Sequence, residues 1–158
     1  MDSISVPGDT LALAIRLGLA TLLGGAVGLN REIFLKPAGL RTHALVSLGA
    51  AVATYIGLQL TQYTAGDPTA PSRVIQGIIA GVGFIGGGVI LHRQGGRMVH
   101  GLTTASSIWV VAATGVAAGA GLWRAAVLSV VLSLIVLTVG LPIDQALHRI
   151  SRDNPADD

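Results

Sequence analysis

The stretch from Leu122 to Leu141, LWRAAVLSVVLSLIVLTVGL, decides the fold of this chain. Leucine and valine dominate it, and its single charged residue, Arg124, stands near the start. A transmembrane α-helix needs about 20 predominantly apolar residues to cross the roughly 30 Å hydrocarbon core of a bilayer. We therefore interpret this stretch as a membrane-spanning helix, and its composition indicates that much of its surface faces lipid.

Four further apolar stretches precede it, at about residues 11–29, 42–60, 74–91 and 103–119. Only 11% of the 158 residues are charged, against about 25% in an ordinary soluble domain. One small core cannot enclose five such stretches, whereas in lipid a helix satisfies its backbone hydrogen bonds internally. The sequence predicts an all-α integral membrane bundle of about five transmembrane helices in residues 1–141. Residues 142–158 are predicted to form a short cytoplasmic tail.

Composition and spacing also narrow the function classes. The chain has no cysteine, which excludes disulfides and thiolate metal sites. Its ten Lys and Arg residues are scattered singly, whereas a nucleic-acid surface clusters them on one face. No nucleophile–base pair or metal-ligand cluster stands out. We therefore expect no enzymatic activity, no cofactor and no nucleic-acid partner.

The basic residues predict the orientation of the bundle, because Lys and Arg favour cytoplasmic loops. Seven of them fall on one side: Arg31, Lys36, Arg41, Arg93, Arg97, Arg149 and Arg152. Two, Arg73 and Arg124, fall on the other side, while Arg16 lies within the first stretch and is expected to reach outward toward Asp9. The N-terminus is therefore predicted to lie outside and the C-terminus inside.

Small residues at helical spacing predict how the helices pack, since close backbone approach drives helix association in lipid. The glycines predicted to pack are Gly24 and Gly28 in the first stretch, Gly77, Gly81 and Gly88 in the third, and Gly115 and Gly119 in the fourth. In the third stretch Phe84 shares a narrow arc with its glycines and would act as a knob between grooves. We expect the third helix to be the centre of the bundle.

Three sequence motifs carry a family resemblance. Asn30-Arg31-Glu32 is followed by KPAGLRTHALV at residues 36–46, GVGFIGGGVI occupies residues 81–90, and GLTTA occupies residues 101–105. Together they resemble the MgtC/SapB family of bacterial inner-membrane proteins, over about residues 11–141. Asp67, Arg73 and Gln76 stand where family members carry an aspartate, an arginine and a glutamine before the third helix.

The resemblance implies a role in adaptation to low magnesium, acid or the host phagosome. Family members act on other membrane machines, including the proton-driven ATP synthase. Two positions depart from the family pattern. Asn30 replaces an acid that many members carry, and Thr103 replaces an asparagine that some virulence-associated members carry in the corresponding motif.

Glu32 is the least expected residue at the predicted cytoplasmic rim. Positive-inside anchoring explains Arg31 and Arg41, but an acid contributes little to orientation. An unpaired charge near the end of a membrane helix is costly. We expect Glu32 either to pair with Arg31, Arg41 or Arg93, or to lie solvated at the rim.

Other polar residues leave alternatives open. Asp67, Arg73 and Gln76 either form a turn and helix start or an outer-side site for a cation or proton; the metal is unknown. Thr42 and His43 belong to the RTH motif, and His43 is expected to be an interfacial polar residue or a pH sensor. Thr103 and Thr104 are expected to cap the fourth helix or to hydrogen-bond across helices.

Two functions follow as expectations. The first is a non-enzymatic, multi-pass protein of the bacterial inner membrane that modulates another membrane protein, such as the ATP synthase or a transporter. The alternative is a component of a Mg²⁺ or H⁺ channel or transporter. Besides the lipid bilayer and that partner, we expect a second copy of the chain, in a homo-oligomer, because exposed glycine faces invite like helices.

Overall fold

The computed structural model describes residues 7–63, 69–91 and 101–153, and every regular element in these ranges is an α-helix. The helices are α1 (Pro7–Ile33), α2 (Leu40–Tyr63), α3 (Ala70–Leu91), α4 (Leu102–Gly119) and α5 (Trp123–Asp153). Each of the five contains a segment long and apolar enough to cross a membrane. Within the described residues, the prediction of an all-helical fold with five helices long and apolar enough to span a membrane is confirmed.

Helix lengths differ most from prediction at the two ends of the chain. α1 begins at Pro7 and ends at Ile33, several residues beyond the apolar stretch on both sides. α5 continues past the apolar segment Trp123–Gly140 and through Pro142 to Asp153. Most of the predicted tail therefore continues α5 as a helix, because a drop in hydrophobicity ends a membrane span without ending a helix.

α4 is the centre of the bundle. It contacts all four other helices, whereas α3 contacts α2 and α4 and α5 contacts α1 and α4. Half of the apolar segment of α4 is buried inside the bundle, compared with 11% for α3. The prediction that the third helix is the packed centre is therefore wrong for the single chain.

Small side chains explain the central place of α4. A Cβ atom at Gly115 would overlap the carbonyl oxygen of Ser47, and one at Gly119 would lie 2.8 Å from the Cα of Ala51. The backbones of α2 and α4 therefore approach more closely than any larger residue would permit. Ile108 and Val111 of α4 are both fully buried.

The same close approach joins α1 to α2. A Cβ atom at Gly24 would lie 2.6 Å from the carbonyl oxygen of His43, and one at Gly28 would lie 2.7 Å from that of Gly39. The glycines predicted to pack in α3 behave differently, since Gly77, Gly81 and Gly88 have no atom of another element within 4 Å of such a Cβ. Phe84 is 87% exposed. Glycine spacing alone did not distinguish glycines that contact another helix from glycines that face open space.

α1 ends in a Schellman motif that has leucine where glycine is preferred. The N–H of Lys36 donates to the carbonyl oxygen of Arg31 (2.9 Å), and the N–H of Leu35 donates to the backbone carbonyl oxygen of Glu32 (3.0 Å). Leu35 has a φ of 52°, in the left-handed region that glycine adopts most easily. This tight reversal places the start of α2 directly beside the end of α1.

Replacing Gly115 by alanine tests the α2–α4 contact. The added methyl group would force the two backbones apart, so we expect Gly115→Ala to lower the free energy of unfolding by about 1–3 kcal/mol. Gly49→Ala is the matched control, because Gly49 lies on α2 and an added methyl group there would have no neighbouring atom within 4 Å. Thermal unfolding of both purified variants in detergent measures the difference; equal stabilities would contradict the packing described.

Candidate functional site

A group of polar residues lies at one end of the bundle. The helices alternate in direction, so the end of α1 and the starts of α2 and α4 meet there. We call the resulting group the polar cluster, and its members are Arg31, Glu32, His43, Thr104 and Ser107. Four of the five residues were predicted site residues, and the structure brings these four together from the motifs at residues 30–46 and 101–105.

Arg31 is the buried charge of the polar cluster. Its side chain is 6% exposed, and its Nη2 donates to the hydroxyl oxygen of Thr104 at 2.7 Å. Its Nε is also buried and has no hydrogen-bond partner in the described part of the chain. A buried guanidinium group is costly to leave without a counter-charge. Positive-inside anchoring, which would leave the head group in solvent, does not explain this position.

His43 lies near Arg31 and is fully buried. Its Nδ1 lies 3.0 Å from the carbonyl oxygen of Gly39, and its Nε2 lies 3.0 Å from the hydroxyl of Ser107. Because a carbonyl oxygen only accepts, Nδ1 carries the proton of the neutral ring. His43 is buried between helices because Gly24 and Gly28 on α1 leave room for α2 to approach. Its position at the membrane interface and a role as a pH sensor stay predictions.

Ser107 has two acceptors for one hydroxyl proton. Its Oγ lies 2.8 Å from the carbonyl oxygen of Thr104 as well as 3.0 Å from Nε2 of His43. With a neutral imidazole ring, the hydroxyl satisfies one acceptor at a time. Ser107 thereby links His43 to the residue that holds Arg31, so the three helices share one hydrogen-bonded network.

Glu32 has a different partner from the one expected. Its Oε2 accepts from the backbone N–H of Leu40 at 2.9 Å, at the first residue of α2. The N-terminus of a helix has unsatisfied N–H groups and a partial positive charge, which favour a carboxylate. The pairing expected with Arg31 or Arg41 is thus replaced by a cap on α2, and Arg93 lies outside the described residues.

The start of α4 is not capped by its threonines. Gly101 occupies the N-cap position with a φ of 91°, and no side chain in the described residues caps the helix by accepting from the N–H groups of its first turn. The hydroxyl oxygen of Thr104 accepts from Arg31, and Thr103 is exposed. The expectation of hydroxyl capping is therefore wrong, whereas the alternative of an interhelical hydrogen bond describes Thr104.

The remaining predicted site residues lie around or away from the polar cluster. Nδ2 of Asn30 makes a long contact of 3.5 Å with Oγ1 of Thr138 on α5, and Thr42 is half-buried near the start of α2. Arg73 and Gln76 are exposed at the opposite end, on the first turns of α3. Asp67 lies outside the described residues. No group of three metal-ligating side chains occurs within the described ranges.

Sequence reasoning missed the role of Arg16. Its Nη1 donates to the carbonyl oxygen of Gly119 at 3.2 Å, at the C-terminal end of α4. A guanidinium group there complements the partial negative charge of the helix end. The available signal was a single arginine within an apolar stretch, which sequence reasoning directed toward Asp9 instead of toward another helix.

Comparison with known proteins settles the family. Residues 17–146 match the family model described as the MgtC family. This chain belongs to the MgtC family. The three motifs that carry the resemblance all lie within the matched range, so the resemblance expected from the sequence is confirmed.

Several named MgtC family proteins are similar to this chain. Protein SrpB of Synechococcus elongatus is 41% identical over 150 residues, which cover 87% of this chain and 80% of SrpB. A protein of Escherichia coli K12 named putative magnesium transporter YhiD is 39% identical over 82% of this chain and 61% of its own length. Protein MgtC of Brucella abortus is 40% identical over 82% of this chain and 51% of its own length. No solved structure matches.

This MgtC family chain spans only part of most of these relatives. The matched region covers about half to three fifths of the MgtC and YhiD proteins, although it covers four fifths of SrpB. The likeness therefore concerns the membrane-spanning bundle that contains the polar cluster. Activities of the longer relatives are not thereby activities of this chain.

Substitution of Thr104 tests the contact that holds Arg31. Thr104→Val keeps the shape of the side chain but removes the acceptor, so we expect it to lower the free energy of unfolding by about 1–3 kcal/mol. Thr103→Val is the matched control, since the neighbouring hydroxyl is exposed and the change should stay within about 0.5 kcal/mol. Thermal unfolding in detergent compares them, and a Thr104→Val protein as stable as the control would contradict the role given to this contact.

Proposed function

We propose that this MgtC family protein is a non-enzymatic, multi-pass protein of the bacterial inner membrane that modulates another membrane protein. Its role would lie in adaptation to magnesium limitation, acid or host stress, as the family resemblance implies. The N-terminus would lie outside and the C-terminus inside, which the distribution of Lys and Arg favours. The observation that carries the proposal is the buried Arg31.

Arg31 makes the bundle interior unfavourable for a cation. Its guanidinium group is 6% exposed at the predicted cytoplasmic end, and its described contact is a neutral hydroxyl. Cation pathways are lined by carbonyl oxygens or carboxylates, while arginine rings are typical of pores for anions. A positive charge in this position raises the energy of Mg²⁺ or H⁺ nearby.

The acidic residues support the same interpretation. Within the five apolar segments the sequence has one acid, Glu32. That carboxylate is already bound to the N–H of Leu40. Mg²⁺ is usually held by one or two carboxylates together with waters or phosphates, and one of the two oxygens of this single carboxylate is already engaged by the hydrogen bond to Leu40.

The exposed face of α3 is the surface we propose for a partner helix. α3 and α5 are equally exposed, with 11% of each apolar segment buried. The exposed residues of α5 include Leu128, Leu132 and Val136, which suit lipid. By contrast, α3 exposes Gly81 and Gly88 together with the side chain of Phe84, which is 87% exposed. Small residues permit the close helix contact that stabilises association in membranes.

The partners we propose for this face are a second copy of the chain and another membrane protein, such as the ATP synthase or a transporter. The alternative function, a component of a Mg²⁺ or H⁺ channel or transporter, is favoured by the name of one relative, putative magnesium transporter YhiD. The two functions differ in whether the purified protein alone moves ions.

Ion flux tests the proposed function directly. The full chain is reconstituted in liposomes that contain a Mg²⁺ or pH indicator, and we expect flux equal to that of protein-free liposomes. The physical reason is the positive charge of Arg31 in the bundle and the presence of only one acid, Glu32, in the five apolar segments. An ionophore added at the end of each run shows that the liposomes are sealed. Mg²⁺ or H⁺ flux that falls in Glu32→Gln would instead establish the alternative.

A bulky residue on α3 tests the partner surface. Gly81→Leu adds a side chain where the single chain has free space, so we expect unchanged thermal stability but loss of growth at low magnesium in cells that depend on this protein. Gly18→Leu on α1 is the matched control, because Gly18 also has no atom within 4 Å of a Cβ position. Normal growth of the Gly81→Leu strain would argue against α3 as the contact surface.

A further inference from the structure

We infer that Arg31 and the N-terminal end of α4 form a binding site for an anionic phosphate group. The inference goes beyond the proposed function, because it concerns a ligand of this chain itself and not the protein that the chain modulates. It stands on two independent observations, a buried charged side chain with an unpartnered atom and a helix end without a cap.

The first observation is the unsatisfied guanidinium group of Arg31. The side chain is more than nine-tenths buried, Nη2 donates to Thr104, and Nε has no partner in the described chain. Glu32 is adjacent in sequence, yet its carboxylate is bound to the N–H of Leu40. The guanidinium group therefore has donors to spare and no described counter-charge.

The second observation is the uncapped start of α4. Gly101 has no side chain to cap the helix, and the N–H of Ala105 is the first to find an acceptor, the carbonyl oxygen of Gly101 at 2.8 Å. The N–H groups of Leu102, Thr103 and Thr104 therefore have no acceptor among the described residues. Such N–H groups and the helix dipole together attract anions.

The guanidinium group of Arg31 and the start of α4 both carry positive charge, and they lie in contact. Arg31 touches the first turn of α4 through Thr104, so a full positive charge lies beside the partial positive charge of the helix end. The chain arranges other helix ends in the opposite way. Arg16 donates to the C-terminal end of α4, and the carboxylate of Glu32 caps the start of α2. The start of α4 thus combines two positive groups where an anion would neutralise both.

The geometry favours a phosphate group over a smaller anion. Backbone N–H groups at a helix start and a guanidinium fork are the donors that bind tetrahedral phosphate oxygens in proteins. The site also lies at the ends of two apolar segments, at Ile33 and Leu102, which is the depth of lipid phosphates. Both residues are more than half exposed and offer apolar surface to acyl chains. The phosphate group therefore comes either from an anionic lipid or from free inorganic phosphate.

Thermal stability with defined additives tests the site. The full chain, washed extensively in a neutral detergent, is titrated with inorganic phosphate, with short-chain phosphatidylglycerol and with phosphatidylcholine of the same chain length. We expect a rise in unfolding temperature of roughly 5 °C at saturation with phosphatidylglycerol or with phosphate, and less with phosphatidylcholine. A rise with phosphate alone identifies the free ion as sufficient, while a rise with phosphatidylglycerol alone identifies the lipid. Phospholipid that stays bound to the wild type through washing, detected by native mass spectrometry, also counts as binding.

Thr103→Asp and Thr103→Asn provide the matched pair of variants. Thr103 is exposed on the first turn of α4, so both variants should fold where an Arg31 variant risks unfolding. Aspartate supplies a negative charge at the site, and we expect it to raise the stability of the ligand-free protein and to abolish the additive shift and lipid retention. Asparagine has the same shape without the charge and should keep both. If the wild type neither shifts nor retains phospholipid, or if Thr103→Asp responds as the wild type does, the inference is wrong.

Discussion

The close contact between α4 and α2 sets the position of every other part of the bundle. Gly115 and Gly119 let the two backbones meet without intervening side chains, at Ser47 and Ala51. In lipid this approach replaces the hydrophobic effect as the source of helix association, since dispersion contacts grow as backbones come closer. α1 then packs on α2 through Gly24 and Gly28 in the same way. Three helices are thus held closely enough for their ends to share polar contacts.

The polar cluster is a consequence of that packing. A buried histidine, a buried arginine and their hydroxyl partners come from α1, α2 and α4, and none of these contacts would form if the helices were a few ångströms further apart. Hydrogen bonds between helices in a membrane contribute modestly, about 0.6 kcal/mol each. The polar cluster therefore depends on the helix packing more than its hydrogen bonds stabilise that packing. For this reason the burial of its charged member, Arg31, is not explained by stability alone.

Much of the fold was predictable from the sequence, because length and hydrophobicity directly determine how many helices cross a bilayer. The order of the helices in space was less accessible. Gly81 and Gly115 belong to similar glycine patterns, yet one faces open space and the other faces α2. Hydrophobicity does not distinguish them, since a surface facing lipid and a surface facing protein are both apolar. The central place of α4 follows from its small residues on all sides. The sequence shows these residues, but other helices have small residues too, and the sequence does not indicate which helix lies at the centre.

The candidate site was predictable in its membership and not in its contacts. The motifs named Arg31, Glu32, His43 and Thr104, but a charge pair between Glu32 and a nearby arginine was the simplest expectation from sequence proximity. In the structure the carboxylate of Glu32 accepts from the N–H of Leu40 at the start of α2. Arg31 instead donates to Thr104 at the start of α4. A charged side chain can bind either an opposite charge or the end of a helix. Which of the two it binds depends on which helix ends lie next to it in space. A sequence pattern contains no information on this until the packing is known.

The polar cluster and the exposed face of α3 are separated by one helix contact. A Cβ at Gly101 would lie 2.9 Å from the carbonyl oxygen of Val89, and one at Gly86 would lie 3.4 Å from the Cβ of Ala105. The first turn of α4 therefore rests directly on the last turns of α3, without a layer of long side chains between them. Close-packed helices move as units, because their contacts leave little room for independent adjustment. Whatever neutralises Arg31 at the start of α4 thus acts one contact away from the surface that α3 presents to its surroundings.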